Sequence, residues 1–299
     1  MRAVALLLAL GLTGQGHAGD VVRTADVNVR GLKPGDFPRV QQLATNVYTF
    51  EQIDPTKRTV TVNNLIVLSD SGVLVAEGQG TEENVRTLLD AIRRLTPRPV
   101  RYVVVGSEHG DHTGGDAAFG SAVTFLVHPK SKPAVERRLE GPVETVGEKR
   151  VLQLGGTEVD VLFLGRAHTG GDLEVYLPRE RVLFMSEVFS NRIFPSMANG
   201  YPSEWIETLK KAEALQPAWF VPAHGFVDSA AILTEEEHNY RAAIDRVVSE
   251  GRRLHDRGVG VENAPASAVL EPFDAWTRAG NNAFQALERV YVELDGGLK

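Results

Sequence analysis

Apolar residues in this chain come in short runs broken by turn residues, and the runs change period along the sequence. Asn46–Glu51, Val60–Leu68 and Gly72–Ala76 are strand-like, with Asp70-Ser71-Gly72 a hairpin-type turn between the last two. Thr81 to Leu95 has helical character: Thr81 is placed to cap it, Glu82 and Glu83 fill its first turn, and Pro97 follows its end. Val100–Val105 is again strand-like and stops at Gly106. A short helix around Asp116–Phe119, a strand at Val123–Val127 and a helix at Lys130–Glu140 are predicted next. Val151–Leu154 and Glu158–Leu164 pair across Gly155-Gly156, and Leu173–Leu177 and Val182–Met185 are two further strands. Asn191–Pro202 is a Pro- and Gly-bearing loop, Ser203–Leu215 a helix and Trp219–Val221 a short strand. Thr234–His255 reads as one long helix with Glu235, Glu236 and Glu237 in its first turn, where the helix dipole favours anions. Ala264–Leu294 is mostly helical in pattern.

Strands come first, then helix–strand alternation, then strands and helices again. That order suits neither a doubly wound sheet nor a barrel. It predicts an α/β (α+β) fold in which two mixed sheets pack together with helices outside, four layers in all. Residues 20–45 are polar, carry Gly31, Pro34, Gly35 and Pro38, and read as an extended lead-in. Ahead of them, Met1-Arg2 supplies a positive start, Ala3–Leu12 an apolar stretch too short to span a bilayer, and Gly16-His17-Ala18 small residues at a cleavage position. Residues 1–18 are therefore expected to be a cleaved signal peptide, with an N-terminal membrane anchor as the alternative. Residues 19–299 are expected to form one domain with a helical C-terminal extension. On the signal-peptide reading the protein is periplasmic or secreted, with no stable membrane span in the mature chain.

Composition narrows the chemistry. A formal net charge of −7 argues against a nucleic-acid partner, which a basic face would favour. The chain has no cysteine, which excludes disulfides, thiol nucleophiles and thiolate metal sites. Any metal must be held by nitrogen and oxygen. Nothing in the pattern specifies an oligomeric state.

The densest chemistry follows the strand Val100–Val105, in Ser107-Glu108-His109-Gly110-Asp111-His112. Two imidazoles and a carboxylate within four residues are ligands that zinc, iron and manganese accept, presented on a loop over a rigid strand. Three later apolar runs also end in a metal-capable residue beside small ones. These are Phe163-Leu164-Gly165-Arg166-Ala167-His168, Val182-Leu183-Phe184-Met185-Ser186-Glu187 and Phe220-Val221-Pro222-Ala223-His224-Gly225.

With these four segments in order, the chain resembles the metallo-β-lactamase superfamily over roughly residues 40 to 228. The family's HxHxDH loop is matched by Ser107–His112, its G-x-x-H-T-x-G by Gly165–Gly170, its L-F-x-G-and-Asp stretch by Leu183–Glu187 and its late G-H-G by Ala223-His224-Gly225. The resemblance implies the αββα sandwich and one or two ions, zinc first, with iron or manganese as alternatives. It places Asp111, His112 and His224 in an intact second site. The first site holds His109 and His168, but Ser107 stands where a histidine is expected. Glu187 replaces the bridging aspartate, either as a ligand or as a neighbour of the ligands. Ser107 is a neutral replacement or a water-holding group, and a hydroxyl is a weak ligand beside imidazole. Glu108 is a second candidate to complete the count.

The implied activity is hydrolysis of a small ester, lactone or amide, including a β-lactam, with Asp111 orienting the water and handling its proton. A non-catalytic metal- or ligand-binding relative is the alternative. Glu77 is expected either to support the metal loop or to be a plain strand-end charge. Asn191, Arg192, Phe194 and Tyr201 are candidates for the substrate pocket, with Met197 and Trp205 near its mouth; for Phe194 and Trp205 core packing is the equal alternative. His128 is expected to be structural, and His238 and His255 to lie on the surface.

Overall fold

The computed structural model describes residues 21–298; the expected signal peptide lies outside them. Strands β1 Arg39–Ala44, β2 Val47–Ile53, β3 Thr61–Ser69 and β4 Gly72–Ala76 form an antiparallel run. Helix α1 Glu82–Leu95 then leads to β5 Val100–Val105, followed by the single-turn α2 Gly110–Thr113 and β6 Thr124–Val127. The short α3 Lys132–Val135 precedes β7 Val143–Thr145, and β4 to β7 are mutually parallel. These seven strands make one sheet in sequential order. The second sheet holds β8 Lys149–Leu154, β9 Thr157–Leu162, β10 Glu174–Leu177, β11 Val182–Phe184 and β12 Trp219–Val221, in the order β12-β11-β10-β9-β8. Helices α4 Pro202–Ala214, α5 Ala230–Asp256, α6 Ala264–Ser267 and α7 Ala279–Leu294 belong to the C-terminal half.

Alternation along the strands builds the layers. In β5, Val103 and Val105 face α1, meeting Val85, Leu88 and Ile92, while Val104 faces the other sheet. In β3, Leu65 and Val67 point inward and Ile66 and Leu68 outward in the same way. The inner faces merge with Val161, Val175, Leu183 and Phe220 of the second sheet, whose far side is covered by α4, α5 and α7. The four-layer arrangement expected from the order of elements is the one observed. Among the described residues, no helix is long and apolar enough to cross a membrane.

Four local expectations are corrected. The polar lead-in contains a true strand: β1 pairs with β2, because an edge strand needs burial on one face only. The helix expected over Lys130–Glu140 closes after one turn into a 3-10 segment, Glu136–Arg138. Val143–Thr145, to which the sequence pattern assigns no element, adds a parallel edge strand. Helix α5 starts at Ala230, four residues before Thr234, so Glu235–Glu237 lie beyond its first turn. Glu236 is held there by Arg23 and Arg192 rather than by the helix dipole.

Candidate metal centre and pocket

Every candidate ligand sits just past the carboxyl end of a strand, on one rim of the sandwich. Asp111 and His112 lie in the α2 turn after β5, His168 after β9, Glu187 after β11 and His224 after β12. The strands stop where they do because the loops must approach one another. At Gly106 a Cβ would lie 2.5 Å from Glu77 Oε1 and 2.7 Å from Ser186 Oγ, so only glycine fits. Gly225 has φ +80°, and a Cβ there would collide with the Asn191 carbonyl. Glu77 and Ser186 adopt φ 66° and φ 50°, strained for residues with a Cβ, and are tied to each other by a short hydrogen bond.

The ligand atoms fall into two clusters, Asp111/His112/Glu187/His224 and His109/His168/Glu187. Glu187 is common to both. Its Oε2 lies 2.8 Å from His109 Nδ1 and 3.2 Å from His168 Nε2. Its Oε1 lies 3.3 Å from His224 Nε2 and 3.6 Å from His112 Nε2. Asp111 Oδ2 is 3.5 Å from His224 Nε2. The Nε2 atoms of His112 and His224 face each other at 3.0 Å. His224 Nδ1 donates to the Thr61 carbonyl at 2.7 Å, and His112 Nδ1 lies 2.6 Å from the buried carboxylate oxygen Glu77 Oε2. Two imidazole lone pairs directed at one point repel unless a proton or a cation lies between them. The donor set, imidazole nitrogen with carboxylate oxygen, fits a divalent first-row ion.

Ser107 has a definite contact. It is fully buried, and its hydroxyl donates to Glu187 Oε2 at 2.5 Å while accepting from the His109 amide at 3.3 Å. It holds the shared carboxylate. Glu108 is not among the clustered ligand atoms.

Charges in the cluster reinforce one another. Burial alone would raise the Asp111 and Glu187 pKa values. The positive field of His112, His224 and Lys57 at Asp111, and of His168, His112 and the His109 hydrogen bond at Glu187, outweighs it and holds both carboxyls well below the usual range. The hydrogen bond to Glu187 raises the His109 pKa against the effect of burial. At His112 burial opposes, but Glu77, Glu187 and Asp111 raise it well above the ordinary value.

Several contributors were not singled out from sequence. Lys57 pairs closely with Asp111 and lies 3.3 Å from Asp54. Asn63 donates to the Pro222 and Gly225 carbonyls and Asn64 to those of Glu77 and Gly78, fastening two ligand loops to β3. A pair of asparagines inside an apolar run was the available signal. Asp172 accepts from the Thr169 amide and hydroxyl, each at 2.7 Å, fixing the His168 loop; burial pushes its pKa up to about 6.

A pocket of about 140 Å³ opens over the clusters, with walls from Val60, Ile193, Phe194 and Tyr240 and two cations, Lys57 and Arg278. Phe194 lines this pocket. Asn191, Arg192 and Tyr201 do not line this pocket. Asn191 is buried and donates to the Phe226 carbonyl at 2.8 Å, bracing the His224 loop. Arg192 is drawn to buried Glu236 at 2.7 Å and lies over Trp276. Tyr201 lies beneath Arg166, with 4.1 Å from guanidinium to ring centre. Trp205 and Met197 are core residues; the Trp205 indole N–H donates to the Val188 carbonyl at 2.9 Å and the ring abuts His168. His128 stacks on Phe163, whereas His238 and His255 are the partly exposed histidines of α5.

The family model described as metallo-beta-lactamase superfamily matches residues 62–224, more than half of the chain. The chain belongs to this superfamily. Among its relatives is the 2,4-dinitroanisole O-demethylase subunit alpha of Nocardioides sp. (strain JS1661), 26% identical over 54% of this chain. This chain spans about half (51%) of that subunit's length. The metallo-beta-lactamase type 2 of Bacillus sp. (strain 170) is 22% identical, covering 65% of this chain and 79% of the enzyme. Two solved folds are similar. The metallo-beta-lactamase from Pontibacter korlensis superposes with a TM-score of 0.60 at 22% identity, over 68% of this chain and 98% of that one. The sec-alkylsulfatase Pisa1 from Pseudomonas sp. superposes at 0.68 with 15% identity, over 86% and 50%. The superfamily match ends at His224, so the walls supplied by α5 and the start of α7 lie outside it.

Proposed function

We propose that this protein is an exported metal-dependent hydrolase, holding one or two zinc ions and acting on a small ester, lactone or amide. The observation that supports the reading most is the single buried carboxylate, Glu187, shared by two convergent ligand clusters beneath an open pocket. His112, His224 and Asp111 would hold one ion, His109 and His168 the other, with Glu187 between them. A divalent ion held there supplies Lewis acidity, acidifying water and polarising the electrophile. The protein's own groups do the rest. Asp111, kept ionised by His112, His224 and Lys57, accepts a proton from water on the pocket side. Lys57 orients that carboxylate, and Ser107 fixes Glu187. Val60, Ile193 and Phe194 give an apolar surface for the substrate body.

The test measures bound metal per chain together with turnover of nitrocefin, a lactone and an aryl-ester panel. The names of the relatives add 2,4-dinitroanisole and a secondary alkyl sulfate to that panel. Turnover that is lost on chelation and restored by zinc supports the reading. Metal binding with no turnover of any compound would instead support a binding relative. Asp111→Asn retaining both metal and full turnover would remove Asp111 from the proton-handling role.

A further inference from the structure

The pocket contains two cations, and only one of them is neutralised. Lys57 is committed to Asp111 and Asp54. Among the described residues, Arg278 has no ion-pair or hydrogen-bond partner for its guanidinium, although it lines the same pocket as Asp111 and Glu187. Those two carboxylates are already engaged by imidazoles, Ser107 and Lys57. An arginine without a carboxylate in a half-enclosed pocket presents unspent bidentate donors to whatever enters.

The backbone holds Arg278 in place at a cost. It is the residue before α7, at φ 67° and ψ 9°, a left-handed conformation unfavourable for a side chain with a Cβ. It is kept there from both sides. Phe194 N donates to the Thr277 carbonyl at 2.9 Å, and Thr277 N to the Arg192 carbonyl at 3.2 Å. On the other side, Asn282 N donates to the Arg278 carbonyl at 3.0 Å, while the Asn282 side chain binds the Phe194 carbonyl at 2.8 Å. The loop that follows Glu187 thus carries both the apolar wall, Ile193 and Phe194, and the clamp on Arg278. Position 278 lies outside residues 62–224, the segment that matches the superfamily.

We propose that Arg278 is a specificity-determining residue that receives the anionic group of an amphiphilic substrate, a carboxylate or a sulfate, whose apolar part lies against Val60, Ile193 and Phe194. This rests on the pocket being the substrate site of a hydrolase. The test is therefore a binding measurement that needs no turnover. Calorimetric titration of the zinc-loaded protein with hexanoate, hexyl sulfate and neutral hexanamide is compared for wild type, Arg278→Asn and Arg278→Lys, with metal content measured in each. Asparagine tolerates the left-handed backbone, and lysine keeps the charge.

The expected result is anion binding about 10- to 100-fold weaker in Arg278→Asn, partly recovered in Arg278→Lys. A larger loss for hexyl sulfate than for hexanoate would assign a tetrahedral group, and the reverse a planar one. Equal affinity of wild type and Arg278→Asn for both anions overturns the proposal. So does a loss that hexanamide shares equally, which would mean a structural role. If Arg278→Asn fails to fold, Arg278→Gly, which suits the left-handed backbone, takes its place, and anion affinity equal to wild type in it overturns the proposal. Arg278-dependent anion binding without turnover of any panel compound would leave this inference standing and remove the hydrolase. Turnover without such binding would do the opposite.

Discussion

Shortening the shared carboxylate should separate the two ligand clusters. Glu187 Oε2 lies 2.8 and 3.2 Å from His109 and His168, and Oε1 lies 3.3 and 3.6 Å from His224 and His112. Glu187→Asp withdraws the carboxylate by one C–C bond, about 1.5 Å, which takes these separations to roughly 4–5 Å. The backbone cannot follow, because Ser186 is pinned in its left-handed conformation by Glu77 and the turn is buried. Without that carboxylate the His109/His168 cluster keeps two strong ligands, below the three that catalytic zinc ordinarily takes from protein. Its affinity should fall by about 100-fold or more, since loss of even a supporting group outside the ligand set typically costs 10- to 100-fold. Glu187→Gln keeps the reach, loses the charge and should weaken both clusters. Elemental analysis after gel filtration gives the stoichiometry, and competition with a chromophoric chelator gives the affinities. If Glu187→Asp loads metal with wild-type stoichiometry and affinity, Glu187 is not a shared ligand and the two-cluster description fails.

Other outcomes follow from the same geometry. Ser107→His adds an imidazole at the gap but removes the hydroxyl that holds Glu187; tighter loading of the His109 side is expected only if the carboxylate stays in place, and the same chelator competition measures it. Trp205→Ala opens a fully buried site and strands the Val188 carbonyl, so a loss of about 3–5 kcal/mol should appear in denaturant unfolding. Glu237 is buried beside Glu213, and burial first, then that neighbour, pushes its pKa up to about 9 from an ordinary 4.5. Its folded-state pKa is raised, so its contribution is fully present below about pH 4.5 and is lost as pH rises through 9, at up to about 1.4 kcal/mol per pH unit. Glu237→Gln should flatten stability between pH 5 and 9, and an unchanged slope in urea melts would contradict this.

How far the sequence carries depends on the range of the interaction concerned. Thr81 capping α1, the Gly155-Gly156 turn and the alternation in β3 and β5 are short-range matters, legible from neighbouring residues. Helix α5 starts earlier than Thr234: Ser229 holds the N-cap position without a side-chain cap hydrogen bond, and Glu236, expected in the first turn, is held by Arg23 and Arg192, far away in sequence. Asn191 and Arg192 look like substrate contacts in a loop of polar residues. Buried partners on other elements, the Phe226 carbonyl and Glu236, claim them instead.

The four-layer architecture was legible in the order of the elements, and the candidate ligand segments stood out because strand ends rich in histidine and acid declare themselves locally. Ser107 reads there as a neutral replacement or a water-holding group at a ligand position. Tertiary structure decided that its hydroxyl donates to Glu187, 80 positions away, and that this one carboxylate joins both clusters. It also decided that Lys57 is spent on Asp111 while Arg278, from the far C-terminal region, lines the same pocket with no ion-pair partner among the described residues. Charge pairing depends on distance in space, and along the chain Lys57 and Asp111 are 54 positions apart while Arg278 follows the last strand of both sheets.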